Sequence, residues 1–277
     1  MKKWLIAAGI LLFTGLIAGT AGMILLDFDF TKLSTETYTT TTTEITGEFT
    51  AISVDADTAD IRFIRSEDGI CRAVIRESEK ETHTVSVREN TLIIETRETP
   101  WWKDFTLLSF VSPEIVLYLP GEAYDTLRIE SDTGDTEIPT GFRFNRAEIE
   151  TDTGDILWCA PVTDCLSLST DTGDITAQKI SVGRLQLEMD TGDAVLTDVL
   201  CRQFTAESST GDIRLERFDA DSIRIETSTG DVTGTLLSEK IFVTETDTGD
   251  VRVPKGSSGG RCEIRTDTGD IELTIAS

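Results

Sequence analysis

The chain has 277 residues, of which 39% are hydrophobic, and a formal net charge of −25, with 50 acidic residues against 25 basic ones. That length allows one large domain or two modest ones, and the apolar share is enough to build a core, so disorder is not the default. The acidic excess excludes a nucleic-acid partner, because phosphates are bound by basic surfaces, and it favours divalent cations and cationic surfaces.

The N-terminus contains an apolar run without a charged residue at residues 4–26. A run of 18 or more such residues is typical of a transmembrane helix. Two lysines precede the run and two aspartates follow it within three residues, so the N-terminus is predicted to be cytoplasmic and the rest extracellular. We therefore expect a single-pass protein of the cell membrane. A cleaved signal peptide is the alternative, because residues 19–21 are small, although the run continues past them.

Composition divides the chain into four parts. Residues 1–30 are the predicted anchor, and residues 31–44 are a threonine-rich polar linker. Residues 45–120 are predicted to form a membrane-proximal β region with a first coil and a meander, which would cover an exposed sheet edge. Residues 121–277 contain a regular repeat.

The repeat centres on a Thr-Gly-Asp corner that recurs every 19 or 20 residues. Apolar residues stand seven and five positions before each glycine and two and four positions after it, alternating with polar ones, which predicts a strand on each side of a tight corner. A third apolar column, about seven positions after the glycine, indicates a short third side. Such units bury their apolar faces by stacking, so we predict an all-β, single-stranded β-solenoid, about 38 Å long for eight coils at about 4.8 Å each. The repeat glycines are Gly134, Gly154, Gly173, Gly192, Gly211, Gly230, Gly249 and Gly269.

An earlier copy of the repeat lies at residues 49–63. With Ala59 aligned to the repeat glycine, Ile52 and Val54 fall on the apolar columns before it, and Asp60 matches the aspartate after it. Between this copy and Gly134 the register breaks, and short strands joined by polar turns predict a meander or less regular coils.

Three interpretations of the corner compete. Asp-Thr-Gly is the triplet of aspartic proteases, but those enzymes use one pair of carboxylates, whereas here the triplet occurs six times, with Ser209 and Ser228 replacing the aspartate elsewhere. A structural interpretation explains every position: glycine supplies positive φ, and the aspartate two residues before it caps the turn.

The third interpretation is a cation site. Stacking would place the aspartates before and after the glycines in two rows, with like charges about 5 Å apart, and calcium would relieve the repulsion. The repeat lacks the spacing of known calcium-binding solenoids, so calcium remains an open alternative and no other cofactor is predicted. The predicted calcium ligands are Asp132, Asp135, Asp152, Asp155, Asp171, Asp174, Asp190, Asp193, Asp247, Asp250, Asp267 and Asp270.

Irregular features offer few other sites. Trp101, Trp102 and Phe105, in the segment 97–110, are either a loop folded over the end of the solenoid or an apolar tip that contacts a membrane, glycan or partner. The five cysteines are too scattered for a disulfide scaffold, although a Cys159–Cys165 bridge is possible. His83, the single histidine, has no cysteine nearby to share a metal with, and we expect it at the surface.

These patterns resemble a family of bacterial, mainly Firmicute, envelope proteins of unknown function that are labelled putative adhesins. The resemblance covers residues 45–277 and rests on the strand IVLYLP at 115–120 and on repeats such as LRIESDTGDTEI and FTAESSTGDIRL. It implies a β-solenoid and an extracytoplasmic location, and it transfers no catalytic residues.

We therefore predict a membrane-anchored, adhesin-like surface or envelope interaction module without catalysis. The partners would be the membrane, through residues 4–26, and an unidentified protein or glycan at the cell surface. Two alternatives stay open. One is an envelope-stress or regulatory accessory protein acting through membrane partners, and the other is a carbohydrate-active enzyme on a solenoid scaffold.

Overall fold

The structure is a computed structural model that describes residues 38–78, 81–97 and 113–276, together with Phe13 and Thr20. Within these residues no helix has both the length and the apolar character needed to cross a membrane. The predicted span at 4–26 lies outside them except for Phe13 and Thr20, so the membrane anchor stays a prediction.

The described residues form one continuous sheet of twenty strands. The first ten are β1 (Tyr38–Glu44), β2 (Ala51–Thr58), β3 (Asp60–Arg65), β4 (Arg72–Ser78), β5 (Thr82–Arg88), β6 (Thr91–Arg97), β7 (Glu114–Leu119), β8 (Ala123–Thr133), β9 (Thr136–Ile138) and β10 (Arg143–Thr153). The others are β11 (Ile156–Trp158), β12 (Val162–Thr172), β13 (Ile175–Thr191), β14 (Ala194–Thr210), β15 (Ile213–Thr229), β16 (Val232–Leu236), β17 (Lys240–Thr248), β18 (Val251–Arg252), β19 (Gly260–Thr268) and β20 (Ile271–Ile275).

The middle of the molecule is a regular solenoid, and each level of its stack is called a rung here. β13 pairs with β14 and β14 with β15, always parallel and always with residues 19 positions apart side by side. Ile175 thus lies beside Ala194, and Leu185 beside Phe204. The predicted all-β solenoid is therefore confirmed.

The core is a set of stacked columns of like residues. The columns seven and five positions before the glycine, and two and four positions after it, point inward and are buried in the interior rungs. Trp158, Phe204 and Phe218 are at most 1% exposed, and the rings of Phe204 and Phe218 lie 4.9 Å apart. Each rung contacts only the rungs directly above and below it. Its apolar side chains are therefore buried only when those neighbours are in place, so the stability of each rung depends on the next.

A second corner, not identified from the sequence, separates the second side of the coil from the third. Lys179, Asp198 and Arg217 occupy it in three successive rungs, with left-handed φ values of 55°, 56° and 49°. The Arg217 guanidinium donates two hydrogen bonds of 2.5 Å to the Asp198 carboxylate. These bonds hold the pKa of Asp198 below its ordinary value. This corner is stabilised by side chains that alternate in charge from rung to rung.

The stacking order departs from the chain order at the N-terminal end. The rung of β2 and β3 pairs with β8 and β9 on one side and with the later strands β6 and β7 on the other. Three antiparallel strands then cover this end, because β5 pairs with β6, β4 with β7, and β1 with β4. The region predicted as a meander is thus an additional rung with an antiparallel cap.

The C-terminal end shows a second exchange of order. β19 and β20 insert between β15 and β16 on one side and β17 and β18 on the other. Lys240 begins the outer rung and is 2% exposed. Its Nζ lies 2.5 Å from both Asp219 Oδ1 and Ser238 Oγ, and this buried ion pair fixes the point where the chain leaves the regular stack.

Candidate functional site

The most regular surface of the molecule is the edge formed by the Thr-Gly-Asp corners. Its eight repeat glycines all have positive φ, between 138° and 156°. A Cβ atom on Gly192 would lie 1.9 Å from the carbonyl oxygen of Gly173 in the preceding rung, and one on Gly154 would lie 2.1 Å from that of Gly134. Glycine is therefore required twice here, by its backbone conformation and by the close stacking of one rung on the next.

The aspartate after each glycine forms a continuous ladder along this edge. One carboxylate oxygen accepts the backbone N–H of the equivalent aspartate in the neighbouring rung, at 2.7 to 3.1 Å. Asp174 Oδ1, for example, accepts the N–H of Asp193 at 2.8 Å. We call these residues the Asp ladder: Asp60, Asp135, Asp155, Asp174, Asp193, Asp212, Asp231, Asp270 and Asp250.

The Asp ladder corrects the predicted turn chemistry. The sequence interpretation assigned capping to the aspartate two residues before the glycine, as in Asp171, but it is the aspartate after the glycine, as in Asp174, that satisfies a backbone N–H. The bond connects neighbouring rungs instead of closing a turn within one rung. That difference explains why serine replaces the first aspartate at Ser209 and Ser228, whereas the second is present in all eight repeats.

A column of mostly hydroxyl side chains lies inside the corner, three positions before the repeat glycines, and only Gly192 has an apolar residue there, the buried Met189. Thr170 and Thr266 are 1% exposed and donate to the carbonyl oxygens of Gly154 and Gly230. The hydroxyl of Thr151 is buried without a hydrogen-bond partner. The sequence interpretation missed this column, because serine and threonine look like surface residues there. The alternation of inward and outward side chains along the strand predicts that this position also points inward.

The outer face beside the corner carries an acidic stripe. It consists of the carboxylates four and two positions before the glycines. These are Glu130, Asp132, Glu150, Asp152, Asp171, Glu188, Asp190, Glu207, Glu226, Glu245, Asp247 and Asp267, continued by Asp55 and Asp57 in the first rung. An open groove of about 420 Å³ crosses the stripe and is lined by Glu188, Glu207 and Glu226. Parallel in-register stacking places Glu188, Glu207 and Glu226 side by side in three adjacent rungs. In the next rung Arg265 lies beside Glu226 and interrupts the row of negative charges.

Crowding of these carboxylates shifts their ionisation at the N-terminal end. Partial burial, followed by the charges of Asp57 and Asp152, raises the pKa of Asp132. Burial and the charge of Glu130, among others, raise the pKa of Asp55. Each carboxylate is therefore harder to ionise than in water, and a cation bound nearby would be stabilised.

The structure brings the predicted calcium ligands into two rows. Among the described residues, no group of three or more histidine, cysteine, aspartate or glutamate side chains is arranged so that it could hold a metal ion. In the Asp ladder, one oxygen of the carboxylate is already used by a backbone N–H. Calcium binding by these rows stays a prediction.

The other predicted contact residues, Trp101, Trp102 and Phe105, lie outside the described residues. The strands on either side of their segment are described: β6 ends at Arg97 and β7 begins at Glu114. Because β6 pairs with β2 and β7 with β3, these two flanking strands form the end rung.

His83 is not at the surface, contrary to expectation. Its side chain is fully buried, with Nδ1 3.3 Å from Glu77 Oε2 and Nε2 3.8 Å from Glu81 Oε1. The β5 strand directs it inward beside Val85 and Val87, because residues two apart share one face of a strand. The Glu81 carboxylate also accepts the backbone N–H of Thr58 at 2.9 Å, which joins this cluster to the first corner.

All five cysteines are free thiols, including Cys159 and Cys165. Burial raises the pKa of Cys71 to about 11 and those of Cys201 and Cys262 to about 12. These three thiols are therefore protonated at neutral pH, and the thiolate needed for nucleophilic chemistry is disfavoured.

Comparison with known proteins identifies relatives of this fold. The family model described as Toastrack DUF4097 matches residues 49–159 and again residues 160–277. The boundary between the two matches falls within the uninterrupted stack, where Phe144 pairs with Val162. No curated protein matches the chain.

Several solved structures align with the chain. A putative lipid binding protein from Parabacteroides distasonis aligns with a TM-score of 0.54 at 15% identity, over 86% of this chain and 97% of that one. A putative adhesin from Bacteroides fragilis aligns with a TM-score of 0.49 at 17% identity, over 86% and 97% of the two chains. Another, from Parabacteroides merdae, gives 0.48 at 8% identity, over 88% and 98%. The first of these alignments supports the fold alone.

Proposed function

The chain belongs to the Toastrack DUF4097 family, and we propose that it is a non-enzymatic, adhesin-like interaction module that binds a cationic surface through its acidic stripe. In this proposal residues 4–26 anchor the protein in the cell membrane, with the N-terminus in the cytoplasm and the solenoid outside. Solved structures described as putative adhesins in other bacteria have a related architecture.

The observation that carries the proposal is the regularity of the stripe. The carboxylates of Glu188, Glu207 and Glu226 follow one another in adjacent rungs along one face, where Glu188 and Glu207 are exposed and Glu226 is partly exposed. Equal spacing of like charges suits a partner that is itself repetitive and positively charged, such as a basic protein segment or an amino-sugar polymer. Among the described residues, Glu188 and Glu207 make no ion pair and are available to a ligand, whereas Glu226 already pairs with the Arg224 guanidinium.

Neutralising the stripe tests the proposal. The full-length chain, attached by its N-terminus to beads, would be measured for binding to intact bacterial cells and to a cationic polysaccharide. We expect the variant Glu188→Gln, Glu207→Gln, Glu226→Gln to lose most of the binding, and binding by the unaltered chain to weaken as salt rises.

A matched control removes the same number of charges elsewhere. Glu216→Gln, Glu239→Gln and Glu272→Gln lie away from the stripe, and we expect this variant to bind as the unaltered chain does. Equal loss in both variants would show a dependence on net charge alone. If the unaltered chain binds no surface and instead co-purifies with a membrane sensor, the accessory-protein alternative replaces this proposal. Release of sugar products would favour the carbohydrate-active enzyme.

A further inference from the structure

The two ends of the solenoid differ in how their sheet edges are covered. At the N-terminal end the antiparallel strands β1, β4 and β5 extend beyond the last rung. At the other end, β17 pairs only with β19 and β18 only with β20 among the described strands. Within the part of the chain that the structure describes, the outer main chain of residues 240–252, called the end edge here, is therefore unpaired, and an unpaired strand is a template for another strand.

The end edge is also apolar on its outer face. Ile241 and Val243, eight and six positions before Gly249, are each 45% exposed. The same two columns in the other repeats hold mostly polar or charged residues. These are Thr126 and Arg128, Arg146 and Glu148, Cys165 and Ser167, Arg184 and Gln186, Gln203 and Thr205, Ser222 and Arg224, and Arg261 and Glu263.

The exchange of rung order places the rung of β17 and β18 at the C-terminal tip of the stack. If the rungs stacked in chain order, the rung with Arg261 and Glu263 would be outermost and would present charges to solvent. Instead that rung lies inside, and Leu237 and Val251, 43% and 42% exposed, add to the apolar surface at the tip. Protective charges are the usual means by which an edge strand avoids pairing, and the outer positions at Ile241 and Val243 lack them.

The charge of this rung allows a second copy of the chain to approach. Residues 237–255 contain Glu239, Glu245, Asp247 and Asp250 against Arg252 and Lys255, because Lys240 is buried and paired with Asp219, which leaves a net charge of −2 in a chain of −25. Contact along the acidic stripe would repel an identical chain, whereas contact at this tip brings far fewer like charges together. Two identical edges related by a two-fold axis run antiparallel, so each presents the same apolar residues to the other.

We propose that the end edge docks against the end edge of a second copy of this chain, joining two solenoids tip to tip. A contact along one strand of nine residues is about 30 Å long and smaller than a typical stable interface, so it is weak for a single pair. Many copies displayed on one surface strengthen it by multivalency. The inference rests on the proposed function, because an N-terminal anchor would direct these tips away from the membrane toward a facing cell.

Bead clustering tests this docking without requiring a membrane. The full-length chain, biotinylated at its N-terminus, is bound to streptavidin beads in mild detergent, and clustering is followed by light scattering. The unaltered chain is expected to cluster the beads. Ile241→Lys with Val243→Lys, which places two charges on the outer face of the edge, is expected to abolish the clustering while leaving the circular dichroism spectrum unchanged.

A matched control adds the same two charges to interior rungs. Ser167→Lys and Thr205→Lys occupy the column of Val243 but lie far from the tip, and this variant is expected to cluster like the unaltered chain. Absence of clustering with the unaltered chain, or equal clustering by the edge variant, overturns the docking. If such beads nevertheless bind intact cells, the adhesin-like function stands without tip-to-tip docking. If they do neither, both proposals fail.

Discussion

The first corner of each coil is built from glycine and aspartate, whereas the second is built at Lys179, Asp198 and Arg217 from residues with long side chains. At the first corner the rungs touch through their main chains, and a Cβ on Gly192 would meet a carbonyl oxygen at 1.9 Å. At the second corner the backbone is also left-handed, but the side chains have room and pair with one another. A strict sequence repeat thus marks the place where backbone meets backbone.

The largest difference between the corners is expected from substitution of the repeat glycine. Gly192→Ala combines a clash with Gly173 and an unfavourable φ, so we expect a loss of about 3 kcal/mol in the free energy of unfolding. The counterpart at the second corner, Lys179→Gly, changes it by less than about 1 kcal/mol. Urea denaturation measures both. A loss below about 1 kcal/mol for Gly192→Ala would mean that the stack adjusts easily and that the corners do not differ.

The next largest loss of stability is expected from substitutions in the Asp ladder. Asp174→Ala leaves the N–H of Asp193 without its acceptor, and we expect a loss of about 1–2 kcal/mol. Asp174→Asn keeps an oxygen at the same place and removes one of a row of like charges, so it should be neutral or stabilising. The control Asp171→Ala, in the other row, should have little effect. Equal losses at Asp171 and Asp174 in thermal melts would show that the two rows act alike.

In the hydroxyl column, two matched substitutions are expected to differ by about 1 kcal/mol in their effect on the free energy of unfolding. Thr170→Val removes the hydrogen bond to the Gly154 carbonyl oxygen and leaves that oxygen without this donor. We therefore expect the free energy of unfolding to fall by about 1 kcal/mol. Thr151→Val replaces a buried hydroxyl that has no partner, so it should be neutral or stabilising. The free energies of unfolding of the two variants should therefore change in opposite directions, and the same sign in both would refute the assignment.

A smaller, pH-dependent effect is expected at Asp132. Its pKa is raised in the fold, so its ionised form disfavours folding above that pKa, and the penalty disappears below the ordinary value of 3.8. Asp132→Asn should therefore raise the melting temperature at pH 7 and lose this advantage as the pH falls below 3.8. A gain that is independent of pH would indicate a packing effect instead of a charge effect.

The smallest effect is expected from calcium. Because the Asp ladder already uses one carboxylate oxygen for a backbone N–H, we expect a calcium chelator to leave the melting temperature unchanged. A rise with calcium that is lost in Asp171→Asn would show that the two rows of aspartates bind the ion together.

The sequence allowed the fold to be predicted because its strongest signals were periodic. Alignment of the repeats alone placed Ala59 in the glycine column. In the structure its carbonyl oxygen would lie 2.2 Å from a Cβ atom on Gly134, as the carbonyl oxygens of the repeat glycines do in the other rungs. The second corner was missed because Lys179, Asp198 and Arg217 share a backbone conformation but no side-chain type. The burial of His83 was missed because its strand packs on the end of the stack, and that contact is remote in sequence.

The candidate site was predicted only in part. The repeat identified the two rows of aspartates. It did not show which row is hydrogen-bonded within the fold and which faces solvent, because those bonds are made with the neighbouring rung. Asp171 and Asp174 have the same chemistry and are three residues apart. Only the stacked structure shows that Asp174 accepts a backbone bond from the next rung.

The sequence by itself determined the coil: its length, its first corner, its inward columns and its acidity, because each follows from local spacing and residue chemistry. The tertiary structure decided the order in which the coils stack. Repeats that are nearly identical fit beside one another in more than one order, so the exchange that places Ile241 and Val243 at the tip cannot be read from the repeat. It depends on two connections: at Lys240 the chain enters the outer rung, and at Gly260 it returns to the rung inside it.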